Sequence, residues 1–520
     1  MIDDVTAAIA RPAGGDAPAI DGAMLRLANR RAVPLARVPV ESADGFRTRI
    51  TDAIGAGWRI ASLFGMAEGS GAVRLVGVLA DDARGRLGAL STIVGERYPA
   101  LTSVCPQASV FEREIAEQCG VEPVGHPALT PLRRHPPDHL PPDWVRTGRG
   151  ADHIFSRIDG EEVHEVAVGP VHAGIIEPGH FRFQAHGEEV LSLEIVLGYQ
   201  HRGVERLLET LDRRRTVLVA ESIAGDTVIG HASACCGALE ALTRTHKSPR
   251  AQSIRGIALE LERLANHIGD LGAIAGDVAY QPAAAFLGRL RGECLNLLMT
   301  LSGNRYGRGL VRPGGVGFDI PSAMAVEVRA RVRRLREDLQ PAVRLLFETA
   351  SVQSRLEGVG VVSRASCVER GFVGPVARAC QLTRDVRHDH PSGVFRFAQI
   401  PVSTAWAGDV FARALVRRLE IQRSLEFIDE QVAELPAGPT IVEGGSPHPG
   451  ELAVAMEEGW RGEIVHVIVT DDAGRIRRHK VTDPSLHNWT ALAMAMPSNQ
   501  ISDFPLCNKS FNLSYAGHDL

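Results

Sequence analysis

The spacing of apolar and polar positions changes character along this chain. Between residues 58 and 94, "WRIASLFGMA", "AVRLVGVLAD" and "GRLGALSTIV" are β-type apolar runs, the first two joined across a Gly/Ser turn. "SVFEREIAEQCG" (109–120) follows as a polar helix, so the N-terminal part reads as a small α+β domain over residues 1–125. "HPALTPLRRHPPDHLPPDW" (126–144) carries prolines at 127, 131, 136, 137, 141 and 142. Proline removes a backbone donor and restricts the residue before it, which forbids both helix and central strand here. The stretch 126–150 therefore predicts an extended linker.

Beyond it, "EVHEVAVGPVHAG" and "HFRFQAHGEEVLSLEIVLG" suggest a hairpin-rich entry to a mainly helical domain over 151–520. "SIRGIALELERLANHIGDLG" places Ile254, Ile257, Ala258, Leu261, Leu264, Ala265, Ile268 and Leu271 on one helical stripe. "VEVRARVRRLREDL" repeats the period through Val328, Val332, Leu335 and Leu339, leaving its arginines on a solvated face. "GEIVHVIVTDDAGRIRRHKV" reads as a hairpin turning at Asp472–Gly474. The fold class is α+β, with no internal repeat.

Composition narrows the function. Apolar residues make up 44% and charged residues 23% of the chain, a globular balance. A net charge of −5 argues against nucleic acid as partner. No apolar run approaches the roughly 18 residues that cross a bilayer, and the acidic N-terminus carries no export signal. Membrane association is thus expected only through partners. The cysteines at 105, 119, 235, 236, 294, 367, 380 and 507 contain no CxxC pair, and we expect buried thiols in a reducing, cytoplasmic compartment. "VRPGGVG" lacks the G-x-G-x-x-G spacing of a dinucleotide fold.

Several motifs, in order, resemble one family. "FEREIAEQCGVEPVGHP" (111–127) resembles a signature of the small peripheral-arm subunit of respiratory complex I. "GPVHAG" (169–174), "GYQHRGVERLLE" (198–209), "SPRAQSIRGIALELERLANHIGDLG" (248–272), "VRPGGV" (311–316), "RDVRHDHP" (384–391), "GDVFARALVRRLE" (408–420) and "DPSLHNW" (483–489) resemble the hydrogenase and complex I large subunit. The whole is similar to the fused large subunit of formate-hydrogenlyase-type (group 4) nickel–iron hydrogenases. In "RDVRHDHP" we expect Arg384, Asp385, Arg387 and Asp389 to form a salt-bridged structural knot.

The resemblance also locates the metal site. Hydrogenase relatives hold nickel and iron with two CxxC pairs, the early one inside Cys-Gly-x-Cys-x-x-x-His. Here "SIAGDTVIGH" (222–231) keeps Gly225 and His231 but puts Ala224 and Thr227 at the thiol positions. The late pair falls on Cys507 and Ser510. Soft thiolates select such a centre, so no nickel–iron is expected, and no cofactor held firmly by this chain. Three residues past Ser510, where active enzymes carry the His or Arg of a maturation cut, stands Leu513. Arg461, in "EGWRGEIVH", matches the arginine that overhangs the metals, and Glu221 opens the degenerate motif.

Complex I uses the same cavity for quinone, with a histidine from the hairpin loop and a tyrosine. The loop offers His172 and His180; the tyrosine position is Gly225, with no nearby tyrosine to replace it and Asp226 as a substitute acid. His172, His180, Glu221, Asp226, His231 and Arg461 are therefore the candidate cavity and proton-relay residues, His172 and His180 flanking a quinone pocket. The resemblance implies an oxidoreductase subunit that passes electrons from a partner iron–sulfur subunit toward a quinone-like acceptor. Integral-membrane partners would move ions or protons and hold the chain on the inner face of the cell membrane. A non-redox coupling subunit is the alternative, and an active hydrogenase a third reading.

Overall fold

The computed structural model describes residues 24–133, 153, 155–174 and 176–520. Most of the expected proline-rich linker, 134–150, lies outside these residues. The strands β1 (Leu25–Leu27), β2 (Arg31–Pro34) and β3 (Val40–Glu41) lead into α1 (Ala43–Gly55), which Ser42 caps by accepting a hydrogen bond from the Gly45 N–H. The three apolar runs become β4 (Arg59–Ala67), β5 (Val73–Asp81) and β6 (Arg86–Val94). They form an antiparallel sheet in the order β1-β6-β5-β4, with β3 added parallel to β6. The expected helix is α2 (Ser109–Cys119), closed by Gly120 at φ +67°.

After the linker come β7 (Val163–Val168) and the hairpin β8 (His180–His186) and β9 (Glu189–Val196), one antiparallel sheet. The helical part begins with α3 (Val204–Thr210) and α4 (Val228–Leu242). The predicted apolar stripe lies on α5 (Pro249–Asp277), with Ser248 as N-cap and Pro249 in its first turn. This helix is buried on every side, so Arg255, Glu260, Glu262, Arg263, His267 and Asp270 are inside with the stripe. It packs against α6 (Gln281–Ser302) and, beyond α7 (Ser322–Glu348), against α8 (Val410–Ala433). On α7 the four predicted apolar positions are buried. The C-terminal part is a second sheet, β10 (Glu451–Gly459), β11 (Gly462–Thr470) and β12 (Ile476–Thr482), followed by α9 (Pro484–Ala495), α10 (Phe504–Phe511) and α11 (Tyr515–His518).

One face of the N-terminal sheet packs on its own helices, Phe46, Ile50, Leu75, Leu90, Phe111 and Ile115 sharing a core, and the other face joins the C-terminal part. β2 pairs with β10, Val33 opposite Leu452, and completes a four-stranded antiparallel sheet. Phe64, Val76 and Val78 of the first sheet share one apolar layer with Val454, Met456, Val465 and Val467 of the second. Buried charges are paired across this fold. Lys480 joins Glu114 of α2 to Glu205 of α3, and Arg378 joins Glu420 to Glu458. The expected knot is half realised. Arg387 holds Asp385 and Glu260, but Arg384 turns to Asp82, and Asp389 caps the Asp385 N–H instead of pairing with an arginine.

Candidate functional site

The site is built where the turn before α4 meets β11 and the C-terminal residues. Ala224 and Thr227 are buried, while Gly225 is exposed and a side chain there would meet open space. Arg461 lies in the sharp turn between β10 and β11. The tight approach of Gly374 (φ +67°) to the Arg461 carbonyl, which any Cβ would overlap, fixes its backbone. Its guanidinium grips Asp226 with both arms, at 2.6 and 2.8 Å, and donates to Thr227 Oγ1 at 3.1 Å and the Asn512 carbonyl at 2.5 Å. The Trp460 ring lies 3.9 Å beneath it. Burial alone would push Asp226 up; the Arg461 charge outweighs it and holds the carboxyl below its usual range.

His231 begins a second set of contacts one turn into α4. Its Nε2 lies 3.0 Å from Asp483, and its Nδ1 lies 3.3 Å from His466. Glu262, from α5, accepts the Ile229 and Gly230 N–H groups at 2.7 and 3.1 Å, and burial pushes its carboxyl up to about 8. Glu177, from the hairpin loop, accepts the Tyr515 N–H at 3.1 Å; burial raises it against the pull of Arg461. Asp226 and Glu177 are thus shifted in opposite directions beside the same arginine.

The candidate ligands form no soft donor set. Thr227 Oγ1 donates to Asp226 and accepts from Trp460 and Arg461. Ser510 Oγ accepts from Arg413 at 2.9 Å and donates to the Cys507 carbonyl at 2.6 Å. Cys507 is fully buried, and burial pushes its thiol up to about 11 despite Arg413 beside it. One protonated thiol, two engaged hydroxyls and a methyl do not fit a nickel–iron centre.

The hairpin loop covers this region from the other side. His172 Nε2 bonds the Gly179 carbonyl at 2.9 Å, whereas His180 Nδ1 reaches the Gly169 carbonyl at 3.4 Å with its ring 5.4 Å from Phe155. A Cβ on Gly179 would come within 2.6 Å of the Tyr515 ring. A tyrosine therefore stands against the loop, a placement in space on which the sequence around Gly225 is silent. It is supplied in space by α11, from 290 residues further along the chain. The Tyr515 hydroxyl is buried and completes no hydrogen bond, Asn508 being the polar side chain that faces it, and burial pushes it up to about 12. Glu221 stands apart from Arg461: it accepts the Gly309 N–H at 2.7 Å beside Arg308 and Arg312.

Residue reasoning thus found Asp226, His231 and Arg461 and missed Glu177, Glu262, His466, His479, Asp483 and Tyr515. Three of the missed residues sit inside quoted motifs: Glu262 in "LELERLANH", His466 in "EGWRGEIVH" and Asp483 in "DPSLHNW".

Comparison with known proteins identifies the family. Residues 75–147 match the family described as "Respiratory-chain NADH dehydrogenase, 30 Kd subunit", and residues 277–446 match "Respiratory-chain NADH dehydrogenase, 49 Kd subunit". The carbon monoxide-induced hydrogenase of Rhodospirillum rubrum is 31% identical, over 67% of this chain and 97% of its own. Formate hydrogenlyase subunit 5 of Escherichia coli is 29% identical, over 81% of this chain and 77% of its own. Among solved structures, a chain of an archaeal membrane-bound sulfane sulfur reductase superposes with a TM-score of 0.65 at 26% identity, covering 70% of this chain and all of that one. The chain belongs to the family that unites the 30 and 49 kDa subunits of respiratory complex I with the large subunits of group 4 membrane-bound hydrogenases, and it carries both subunit types fused.

Proposed function

We propose that this chain is the acceptor-site subunit of a membrane-associated oxidoreductase. It takes electrons from an iron–sulfur cluster in a partner small subunit and delivers them, with protons, to a quinone-like molecule. It works without a nickel–iron centre, on the inner face of the cell membrane, docked to integral-membrane partners that move protons or other ions. The hydrogenases and the respiratory-chain NADH dehydrogenase families matched above support this reading of electron partners and membrane docking. No helix among the described residues is long and apolar enough to cross a membrane, consistent with peripheral attachment.

The single observation that carries the acceptor reading is the pairing of His172 and Tyr515 around Gly179. A buried phenol that faces Asn508 is the donor for a carbonyl oxygen, His172 holds the loop beside it through its bond to the Gly179 carbonyl, and Arg461, Asp226 and Glu177 supply shifted groups close by. The chain would hold the acceptor by a hydrogen bond from Tyr515, with His172 positioning the loop, and exchange protons with it through the carboxyls around Arg461.

The test uses the purified assembly. A short-chain quinone analogue is titrated while the redox signal of the partner cluster is followed. Reoxidation that is slowed by His172→Ala and by Tyr515→Phe is the expected result. No response in the parent assembly would sink the acceptor reading and favour a coupling subunit without redox turnover. Stoichiometric nickel with hydrogen evolution would overturn both. The sulfane sulfur reductase likeness makes a polysulfide the second acceptor for the same assay.

A further inference from the structure

Four buried side chains beyond the Arg461–Asp226 pair form one unbroken line. Asp483 Oδ2 lies 3.0 Å from His231 Nε2, His231 Nδ1 lies 3.3 Å from His466 Nε2, and His466 Nδ1 lies 2.9 Å from His479 Nε2. The three imidazoles have no exposed surface and Asp483 has 1%. Successive rings meet edge to face, at 62° and 68°, which aims a nitrogen of each at the next. The line crosses from α4 to β11 to β12, and Asp483 is the N-cap of α9.

Hydrogen-bond chemistry orients it. Asp483 accepts the Ser485 N–H at 2.7 Å, and the His231 hydrogen bond keeps its carboxyl below the usual range although burial pushes the other way. An ionised Asp483 requires His231 Nε2 to donate. A neutral imidazole has one donor and one acceptor, so that choice propagates: His466 Nε2–H donates to His231, and His479 Nε2–H donates to His466. His479 Nδ1 is left as a bare acceptor, and this buried atom has no partner. Burial holds His479 down to about 3 and His466 well below the usual imidazole range, which keeps both neutral. At the His479 end the ring lies in the field of Glu205, and only the backbone N–H of His479 meets Glu209, at 3.4 Å. At the other end, Asp483 lies in the field of Arg461, whose partner Asp226 is 32% exposed.

We propose that His479, His466 and His231 form a proton relay that leads from His479 Nδ1, on the Glu205 side of β12, to Asp483 beside the Arg461 pocket. This deepens the acceptor-site reading by naming the route of its protons. A proton arriving on His479 Nδ1 forms one N–H bond there and releases the Nε2 proton to His466 Nδ1. His466 Nε2 passes its proton to His231 Nδ1, and His231 Nε2 passes its own to the Asp483 carboxylate. One proton enters, one arrives, and no electrons move. Delivery leaves each ring protonated on Nδ1, and a flip of each ring resets the line for the next proton. The sulfur of Cys235 lies within 4.8 Å of the His466 and His479 ligand atoms, so a soft metal ion is the competing use of these two rings.

The test reads the histidines directly. The full chain, labelled with ¹⁵N-histidine, is expected to show His466 and His479 as neutral Nε2–H tautomers at pH 7. An Nδ1–H tautomer at His466 would overturn the relay, and so would stoichiometric zinc or copper that Cys235→Ser removes. In the intact assembly, His466→Gln bonds at both ends but cannot be protonated. It is expected to slow reduction of a short-chain quinone by about 10²-fold while leaving dithionite reduction of the partner cluster unchanged. Unchanged turnover would refute the relay, and His479→Gln repeats the test should the first variant not fold. A parent assembly that reduces no quinone counts against the acceptor reading alone, because the tautomer spectrum decides the relay without it.

Discussion

Lys480 is the place where a single atom holds the two halves of this chain together. It is fully buried, and its ammonium lies 2.6 Å from Glu114 Oε2 on α2 and 2.8 Å from Glu205 Oε1 on α3. Arg133 and Arg478 pair with the same two carboxylates from outside, both at 2.7 Å. Replacing Lys480 with methionine keeps the stem and removes the charge between two ionised groups. Removing one partner of a buried pair costs about 3–5 kcal/mol, since the charge left behind has no solvent to turn to. The remaining arginines place the expected loss at the lower end, about 3 kcal/mol.

The pH dependence separates this mechanism from simple mispacking. In the parent, both carboxyls are held below their usual range, burial being outweighed by Lys480 first and the arginines next. A depressed carboxyl gives stability that is present above its unfolded value of about 4.3 and lost as pH falls through the folded one. Without Lys480 the folded values rise, so the variant can take up a proton where the parent cannot. The gap in urea midpoint between Lys480→Met and parent should therefore narrow from pH 7.5 to pH 5.5. A gap that stays constant, or a variant as stable as the parent at pH 7.5, would refute the reasoning.

Four shorter predictions concern the site itself. Arg461→Lys keeps the charge but loses the two-armed grip on Asp226, and should weaken quinone-analogue titration of the partner cluster by about tenfold, or roughly 1.4 kcal/mol. Gly374→Ala puts a side chain in the left-handed region and against the Arg461 carbonyl, so its urea midpoint should fall by more than the roughly 1–2 kcal/mol of backbone strain alone. Burial holds Glu262 at about 8, which means stability is lost as pH rises from its unfolded value of about 4.3 through 8; Glu262→Gln should flatten that part of the stability–pH curve. Cys507, buried and pushed up to about 11, should resist iodoacetamide at pH 8 until urea is added, as followed by peptide mass spectrometry.

Helical period and β-type runs made the large elements legible in the sequence, because each follows from one local rule. The apolar stripe of α5 and the turn at 472–474 both formed where the pattern put them. What stayed hidden depends on register. A hairpin centred on residue 473 pairs residues whose numbers sum to 946, as Thr470 and Ile476 do. His466 would then face Lys480, and His479 would point to the opposite side of the sheet. A bulge between Val469 and Thr470 adds one residue, so His466 pairs with Val481, and Ile468 with His479. That single residue brings the two histidines diagonally onto one face. Nothing in the alternation of "GEIVHVIVTDDAGRIRRHKV" specifies it. Tyr515 was hidden for a different reason: α11 docks on the hairpin loop through contacts far apart in sequence, which periodicity does not report.

Thr227 and Ser510, at two of the four positions that the resemblance equates with metal ligands, are tied into the surrounding hydrogen bonds. Thr227 Oγ1 takes hydrogen bonds from Trp460 and Arg461 and gives one to Asp226, and Ser510 Oγ links Arg413 to the Cys507 carbonyl. A thiol at either position accepts such bonds only weakly. Both arginines are buried cations that anionic donors nearby would neutralise. Arg461 has Asp226 for that purpose, whereas Arg413 is bonded to Ser510 and to the Gly360 and Gly408 carbonyls, and lies 4.0 Å over the Phe511 ring. Its Nη2 is buried without a partner, close to Cys507. On the reading proposed here, the pocket has exchanged one way of balancing charge for another. Asp226 and neutral oxygens now do what thiolates do in the hydrogenases, and the polarity of the cavity survives the change. Sulfur at 227 and 510 would take one acceptor each from Trp460, Arg461 and Arg413, so a metal centre here would require rebuilding the surrounding hydrogen bonds as well.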